Sequence, residues 1–303
     1  MVNPTAGSDS PWTQMPARLD VAIIGTGRVG SVLGAALIRA GHRVVAVSAI
    51  SEISKLRAES LLPGVPVRSV DEVAGGCDLL LLTVPDDVLP ELVSGLAQTK
   101  SVSPGTFVVH TAGRFGDEVL DPLTKVGCLP MALHPVMTFT GTSVDLNRLA
   151  GCPFGVTAPD TLLPVATALV VEMGGEPIAV SRESRPLYHA AIAYGANNMM
   201  TLINQSVDML AQTGISNPTE LVAPLFSAAL DNALRSGDQS LTGPVVRADV
   251  LTIKTHLATL RANCPEVVPS YLAMARLTAN RALEAGQLSA VEAHQLLEVL
   301  ADG

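Results

Sequence analysis

The run "VAIIGTGRVG", residues 21–30, constrains the fold of this chain more than any other stretch. Four apolar residues lead straight into Gly25, Gly27 and Gly30, spaced G-x-G-x-x-G. A strand that passes through such a loop and reopens as a helix uses each glycine differently. The first allows the tight turn, the second lets the backbone approach a pyrophosphate, and the third lets the helix pack on the strand. The helix start adds N–H groups without intrahelical partners and a partial positive charge. Residues Gly25, Thr26, Gly27, Arg28, Val29 and Gly30 therefore read as a dinucleotide cradle.

Beyond this loop, short apolar runs alternate with helical periods: "DVAIIG", "GRVGSVLGAALIRAG", "HRVVAVS" and "EISKLRAESLL". Further strands are expected at "DLLLLTV", "TFVVH", "CLPMALHP" and "PFGVTA", with a closing helix in "TLLPVATALVVEMGG". Alternation of this kind predicts an α/β domain with a mainly parallel sheet. Strands that are apolar throughout fit a sheet covered on both faces. After about residue 180 the strand patterns stop. The stretch from Ser181 to Gly214 reads as one long helix, and four more helical stretches follow, near 218–236, 247–262, 266–285 and 288–300. The expected organisation is a tail over 1–17, mobile by its Pro, Ser and Gly content, a Rossmann-type domain over 18–181 and an all-helical C-terminal domain over 182–303.

The second strand bears on which nucleotide binds. A binder of NAD usually carries an acid at the end of this strand to hold the ribose diol. Here "VVAV" ends at Ser48, followed by Ala49, Ile50 and Ser51. Hydroxyls at Ser48 and Ser51 leave room for a 2′-phosphate, and Arg28, Lys55 and Arg57 can supply positive charge. Glu52 argues the other way unless it points aside, since a carboxylate about 4 Å from a phosphate charge costs about 4 kcal/mol. The balance favours NADP(H) over NAD(H). Val84 and Pro85 in "TVPDD" are expected beneath the cofactor, with Asp86 and Asp87 capping the next helix.

Composition excludes other classes. Lys and Arg number 19 against 28 Asp and Glu, a net charge of −9, with no basic run of the kind a nucleic-acid binder needs. The four cysteines, Cys77, Cys128, Cys152 and Cys264, lie far apart, without Cys-x-x-Cys, and read as thiols of a reducing compartment. No signal pattern, membrane-length run or metal-ligand spacing stands out. A cytoplasmic location is the expectation, with no nucleic-acid or membrane partner.

Five motifs occur in order: "LLLTVPDDVLPELV", "VVHTAGRFG", "ALHPVMTFTG", "LYHAAIAYGANNMMTL" and "LTGPVVRADV". On these the chain resembles, from residue 18 onward, the Rossmann-like proteins with a C-terminal domain of unknown function 2520. One departure is Ala248, where the family usually has Gly. The resemblance implies a wider relation to the 6-phosphogluconate-dehydrogenase-like superfamily, which includes β-hydroxyacid dehydrogenases, ketopantoate reductases and pyrroline-carboxylate reductases. It implies a nicotinamide cofactor on the first domain, substrate in the cleft with the helical domain, and a homodimer formed through the C-terminal domain. It also implies similarity to an alternative class of ketopantoate reductase.

Reduction of a carbonyl needs a donor at the developing alkoxide and a group that holds the substrate carboxylate. Superfamily relatives carry a Lys and an Asn one turn apart on the long helix. Here "YHAAIAYGANN" contains no Lys, and its polar members are His189, Tyr194, Asn197 and Asn198. His189 and Asn197 lie two turns apart and about 80° apart around the helix, so both can border one cleft. The expectation is His189 as proton donor and Asn197 at the carbonyl oxygen. Each also has a plain reading as a hydrogen-bonded helix contact. "TGPVVRAD" is expected to enter a helix near Val245, with Thr242 and Gly243 bringing backbone to a ligand and Arg247 gripping a carboxylate or pairing with Asp249. His256 reads as structural. His110 and Thr111 in "HTAG", and His134 in "ALHPV", end strands at the edge where such sheets bind ligands.

These features lead to an NADP(H)-dependent reductase of a small carboxylate bearing C=O or C=N, with a 2-oxo acid such as 2-dehydropantoate foremost. An imine, pyrroline-carboxylate-type or deazaflavin-linked reductase is one alternative. A non-catalytic NADP(H)-binding sensor or scaffold is the other.

Overall fold

The computed structural model describes residues 18–301, so the tail expected over 1–17 lies outside the described residues. The chain divides into two compact units, one reaching Ala193 and one starting at Tyr194.

The first unit opens with β1 (Asp20–Ile24), α1 (Arg28–Arg39), β2 (Arg43–Ser48) and α2 (Glu52–Leu61). It continues through α3 (Val70–Ala74), β3 (Leu79–Leu82), α4 (Leu89–Thr99), β4 (Phe107–His110) and α5 (Asp121–Thr124). It then runs through β5 (Leu129–Pro135), α6 (Val144–Arg148), β6 (Pro153–Thr157), α7 (Leu163–Glu172) and β7 (Glu176–Ala179). The seven strands form one sheet in the order β2-β1-β3-β4-β5-β6-β7. All neighbours are parallel except β5 and β6.

Alternate residues of the central strands enter two different cores, because successive side chains point to opposite faces. Val21, Ile23, Leu79 and Leu81 pack in one core with Val32, Leu33 and Leu37 of α1. Ala22, Ile24, Leu80 and Leu82 pack in the other with Leu89, Val93 and Leu96 of α4. Both faces of the sheet are therefore covered, which is why the runs 21–24 of β1 and 79–82 of β3 are apolar at every position. β7 departs from the pattern: "EPIA" is mostly exposed and contains Pro177, so nothing in its hydropathy marks it as a strand.

The chain goes on through α8 (Arg185–Gln212), α9 (Pro218–Ser236), α10 (Val250–Asn263), α11 (Val268–Glu284) and α12 (Ala290–Ala301). Within the second unit Ile253, Leu257, Leu272, Ala279, Leu296 and Leu300 form a core among α10, α11 and α12. Among the described residues no helix is long and apolar enough to cross a membrane.

The entry to α10 differs from expectation. The helix starts at Val250 rather than near Val245, because Asp249 caps it: Oδ1 accepts the Thr252 N–H at 3.0 Å and Oδ2 the Thr252 hydroxyl at 2.7 Å. The turn before it places Ala248 at φ 54°. A left-handed backbone costs an L-residue about 1–2 kcal/mol, most of which glycine avoids. Ala248→Gly is accordingly expected to stabilise the protein by roughly 0.5–1 kcal/mol, after subtracting the extra freedom glycine brings to the unfolded chain. Urea unfolding followed by circular dichroism would show this as a higher midpoint; a lower midpoint would mean that the turn carries no strain.

Candidate functional site

The glycine loop joins β1 to α1. Gly25 sits at φ 99°. The Ser48 carbonyl accepts the N–H groups of Gly25 and Thr26 at 3.3 and 3.1 Å, and the Thr26 hydroxyl also donates to it at 3.2 Å. The Thr83 hydroxyl, just past β3, donates to the Ile24 and Gly25 carbonyls. These bonds fix the loop between β1, β2 and β3. A Cβ on Gly30 would lie 2.1 Å from the Gly25 carbonyl oxygen and 2.2 Å from Thr83 Oγ1, so helix and loop touch backbone to backbone. A Cβ on Gly27 would meet nothing within 4 Å. Gly27 caps α1 without a side-chain hydrogen bond, and the first turn holds no acid. The N–H groups of Arg28, Val29 and Gly30 have no acceptor within the helix. The loop thus has an open side, free donors and no negative charge, which suits a pyrophosphate. Val84 and Pro85 follow Thr83, with Val84 Cγ1 3.3 Å from the Cβ position of Gly25.

At the end of β2 two expectations change. Ser48 is 5% exposed and its hydroxyl accepts the Gly25 N–H, so it shapes the loop rather than facing outward. The Ser51 side chain caps α2 by accepting the Ser54 N–H at 3.2 Å. The positive charge lies elsewhere. Gly141, in the segment between β5 and α6, has its Cβ position 2.8 Å from Arg57 Nε and 3.1 Å from Arg28 Cα and Cγ. Two arginines therefore meet beside the glycine loop. The buried Asp145 carboxylate holds the segment by accepting the Thr140 and Gly141 N–H groups at 2.7 and 2.8 Å. Glu52, the acid that counts against a phosphate here, is 2.8 Å from Lys55 Nζ. Asp86 and Asp87 do not cap α4; its cap is Val88, without a side-chain bond, and Asp86 faces Arg114 at 3.7 Å.

A second cluster forms at the carboxyl ends of β4 and β5. His110 corrects the sequence reading: it is fully buried, its Nε2–H donates to the Gly116 carbonyl at 2.8 Å, and its Nδ1 accepts the Ala112 N–H at 3.2 Å. Both ring nitrogens are used inside the fold, so His110 has nothing to offer a substrate. Burial pushes its pKa down to about 4. His134 is different. Its Nδ1 lies 2.8 Å from Tyr188 Oη, and its ring stands edge-on to that of His189, centroids 6.1 Å apart. Its pKa is also pushed down to about 4, mainly by burial and then by the Arg185 charge. A Cβ on Gly113 would fall 2.6 Å from His189 Cδ2 and 2.9 Å from His134 Nε2, so only glycine there lets both rings close on the "HTAG" turn.

Arg185, at the start of α8, has no exposed surface. It donates to Thr157 Oγ1 at 2.7 Å, Gly155 O at 2.8 Å, Ala132 O at 3.1 Å and Gly113 O at 3.5 Å. Its guanidinium carbon is 5.6 Å from the Tyr188 ring centre. Among the described residues no carboxylate pairs with it; Asp117, the acid beside this region, is bound by Arg182 at 2.8 and 3.1 Å. Arg185, Tyr188 and Gly113 escape a reading of the sequence. "SRESRPLY" looks like a polar lead into a helix, and the one signal is an Arg directly before the Pro of a helix start.

The remaining candidates lie in the second unit. Tyr194, Asn197 and Asn198 are exposed on α8, and among the described residues their side chains have no hydrogen-bond partner. Arg247 is exposed and does not ion-pair with Asp249, whose carboxylate caps α10. Thr242 lines a cavity of about 510 Å³ with Pro244, Val245, His256 and Tyr271, while Gly243 turns at φ 104°. His256 Nδ1 is 3.1 Å from Tyr271 Oη. Among the described residues no group of three or more His, Cys, Asp or Glu could hold a metal.

A seven-stranded, mostly parallel sheet with this loop at its first βα turn defines a dinucleotide-binding fold. Residues 1–135 match the model of the Rossmann-like domain, and residues 152–278 match that of domain of unknown function 2520. The chain belongs to the Rossmann-like proteins that carry this C-terminal domain. No curated protein sequence matches it. Solved structures share its fold. A Bacteroides fragilis protein taken to be an NADP oxidoreductase is 22% identical, with TM-score 0.74 over 86% of this chain and 98% of its own. A Thermotoga maritima protein is 19% identical, with TM-score 0.66 over 88% and 99%. An imine reductase of a Pseudomonas species is 19% identical, with TM-score 0.63 over 94% and 100%.

Proposed function

We propose that this protein is an NADP(H)-dependent oxidoreductase that reduces the C=O or C=N bond of a small carboxylate. The observation that carries the reading is the glycine loop: an acid-free helix start, open at Gly27 and closed against backbone at Gly30. The similar NADP oxidoreductase and imine reductase folds support it. Gly25 to Gly30 would hold the pyrophosphate, and Val84 and Pro85 would flank the nucleotide. When bound, the cofactor supplies the hydride. The chain supplies His134 at the carboxyl end of β5, the edge where ligands bind in such sheets, and beside it the ring of His189 from α8. His189 gives the proton to the developing alkoxide. A 2-oxo acid such as 2-dehydropantoate is the foremost substrate, on the family resemblance alone.

The preference for NADP(H) rests on Arg28 and Arg57 meeting at Gly141 and on Glu52 facing Lys55. A charge-assisted hydrogen bond contributes about 1.5–3 kcal/mol, so Arg28→Ala or Arg57→Ala should weaken NADPH about tenfold or more and leave NADH nearly unchanged. Calorimetric titration of both nucleotides reads this directly; tighter binding of NADH by the unaltered protein would overturn the preference. Oxidation of NADPH with a panel of 2-oxo acids and cyclic imines tests turnover. Tight binding with no oxidation by any of them would mark a sensor instead.

The protein is further proposed to act as a homodimer through its C-terminal helices. Leu221, Leu225, Leu230 and Leu234 of α9 and Tyr194, Met200 and Leu202 of α8 are exposed, an apolar surface that a second copy would cover. Sedimentation at low concentration should give a dimer; a monomer would refute it.

A further inference from the structure

We infer that His134 is a hydrogen-bond donor to the reacting carbonyl oxygen of the substrate, and that Tyr188 positions this donor by fixing its tautomer. The inference deepens the reductase reading, which leaves C=O and C=N open, and rests on it for the word substrate.

The tautomer follows from what each atom can bond. Tyr188 Oη is 2.8 Å from His134 Nδ1. Among the described residues that nitrogen is the only acceptor within reach of the Tyr188 hydroxyl. The Gly155 N–H beside Oη is a donor: it favours the phenolate, against the larger effect of burial, which raises the Tyr188 pKa. If Nδ1 carried the proton, the half-buried hydroxyl would have no acceptor, at a cost of about 1–3 kcal/mol. The hydroxyl therefore donates to Nδ1, and the proton of the neutral ring sits on Nε2. No described residue accepts from Nε2, so the chain presents an N–H without a partner at the carboxyl end of β5. Gly113 and the His189 ring flank it.

The surrounding charge selects what can be bound there. The groups around His134 are Arg185, His110, His189 and Tyr188, with Asp117 and Glu118 further out. Arg185 is buried, permanently charged and bonded only to neutral oxygens. Asp117 is engaged by Arg182, and Glu118 is 3.5 Å from the same guanidinium. The field at His134 is therefore positive, and it adds to burial, the larger effect, in holding that ring neutral. A positive field and a bare N–H donor favour an oxygen that carries or gains negative charge. The same pair opposes a cationic iminium, which has no lone pair to accept the bond. The class selected is a 2-oxo acid or similar ketone, not a protonated cyclic imine.

The test uses the full chain labelled with ¹⁵N, and long-range ¹H–¹⁵N correlation of the histidine rings. At pH 7 His134 should show one neutral tautomer, with Nδ1 unprotonated and Nε2 protonated. Tyr188→Phe should turn this into a mixture of tautomers, an effect that loss of packing alone would not produce. Oxamate, an unreactive 2-oxo acid analogue, is added with and without NADP⁺ and should move the Nε2 resonance. Pyrrolinium ion should not. His134→Phe should weaken oxamate about tenfold, and His134→Gln, which keeps an N–H donor, should recover most of that loss. An Nδ1–H tautomer in the unaltered protein, no response of His134 to oxamate, or an equal response to pyrrolinium would each overturn the inference. The tautomer is read without nucleotide. A protein that fails to bind NADPH while His134 behaves as stated would sink the reductase reading alone, and the converse result would sink this inference alone.

Discussion

Gly30→Ala should abolish dinucleotide binding and destabilise the first unit. The new methyl would lie 2.1 Å from the Gly25 carbonyl oxygen and 2.2 Å from Thr83 Oγ1. The first contact is with backbone, which cannot rotate away, so α1 must move off the loop or the loop must open. Overpacking of this kind costs about 1–3 kcal/mol, and this site belongs at the upper end because the obstructing atom is fixed. The same displacement turns the N–H groups of the first turn away from the pyrophosphate. A loss in NADPH affinity of roughly 100-fold or more, about 2.8 kcal/mol, is expected. Gly27→Ala is the internal comparison. Its Cβ would meet no protein atom within 4 Å, so stability should hold while affinity falls through contact with the ligand alone. If the two variants lost stability equally, the cradle would be described wrongly.

Acid should destabilise the fold well before its carboxylates titrate. His110 and His134 have folded pKa values near 4, against an ordinary 6.5. Between those values the unfolded chain binds protons at both rings and the folded chain does not. Stability is then fully present above pH 6.5 and falls as the pH drops toward 4. Each ring contributes a slope of about 1.4 kcal/mol per pH unit, so near pH 5 unfolding takes up about two protons. Urea midpoints at pH 7.5, 6 and 5 would show the decline. His134→Gln removes one of the two rings and should halve the histidine slope. A midpoint independent of pH across this window would mean that neither ring is held neutral.

Much of the architecture can be read from residues near in sequence. The spacing of Gly25, Gly27 and Gly30 after four apolar residues specifies strand, turn and helix together, and the ends of α9 fall where Pro218 and Gly237 put them. β7 does not reveal itself, because an edge strand of four residues with Pro177 and exposed side chains has no periodicity. The start of α10 is displaced by one capping carboxylate, that of Asp249. The candidate site divides along the same line. His134 and His189 are visible as polar residues in apolar surroundings. Their partners are not: Tyr188 bonds to a ring 54 positions earlier, and Arg185 gathers carbonyls from three separate strands and turns. Ser48 shows a related difficulty. Its position at the end of β2 is legible, but whether its hydroxyl faces a ligand or the Gly25 N–H depends on the fold.

On the proposed function, the loop of residues 25–30 holds a nicotinamide dinucleotide. Calorimetric titration of the unaltered protein with NADPH tests it most directly, with Gly30→Ala run beside it. Saturable binding at one site per chain is expected, tighter for NADPH than for NADH, and lost in the variant. Binding of neither nucleotide by the unaltered protein, or equal binding by the variant, would contradict it.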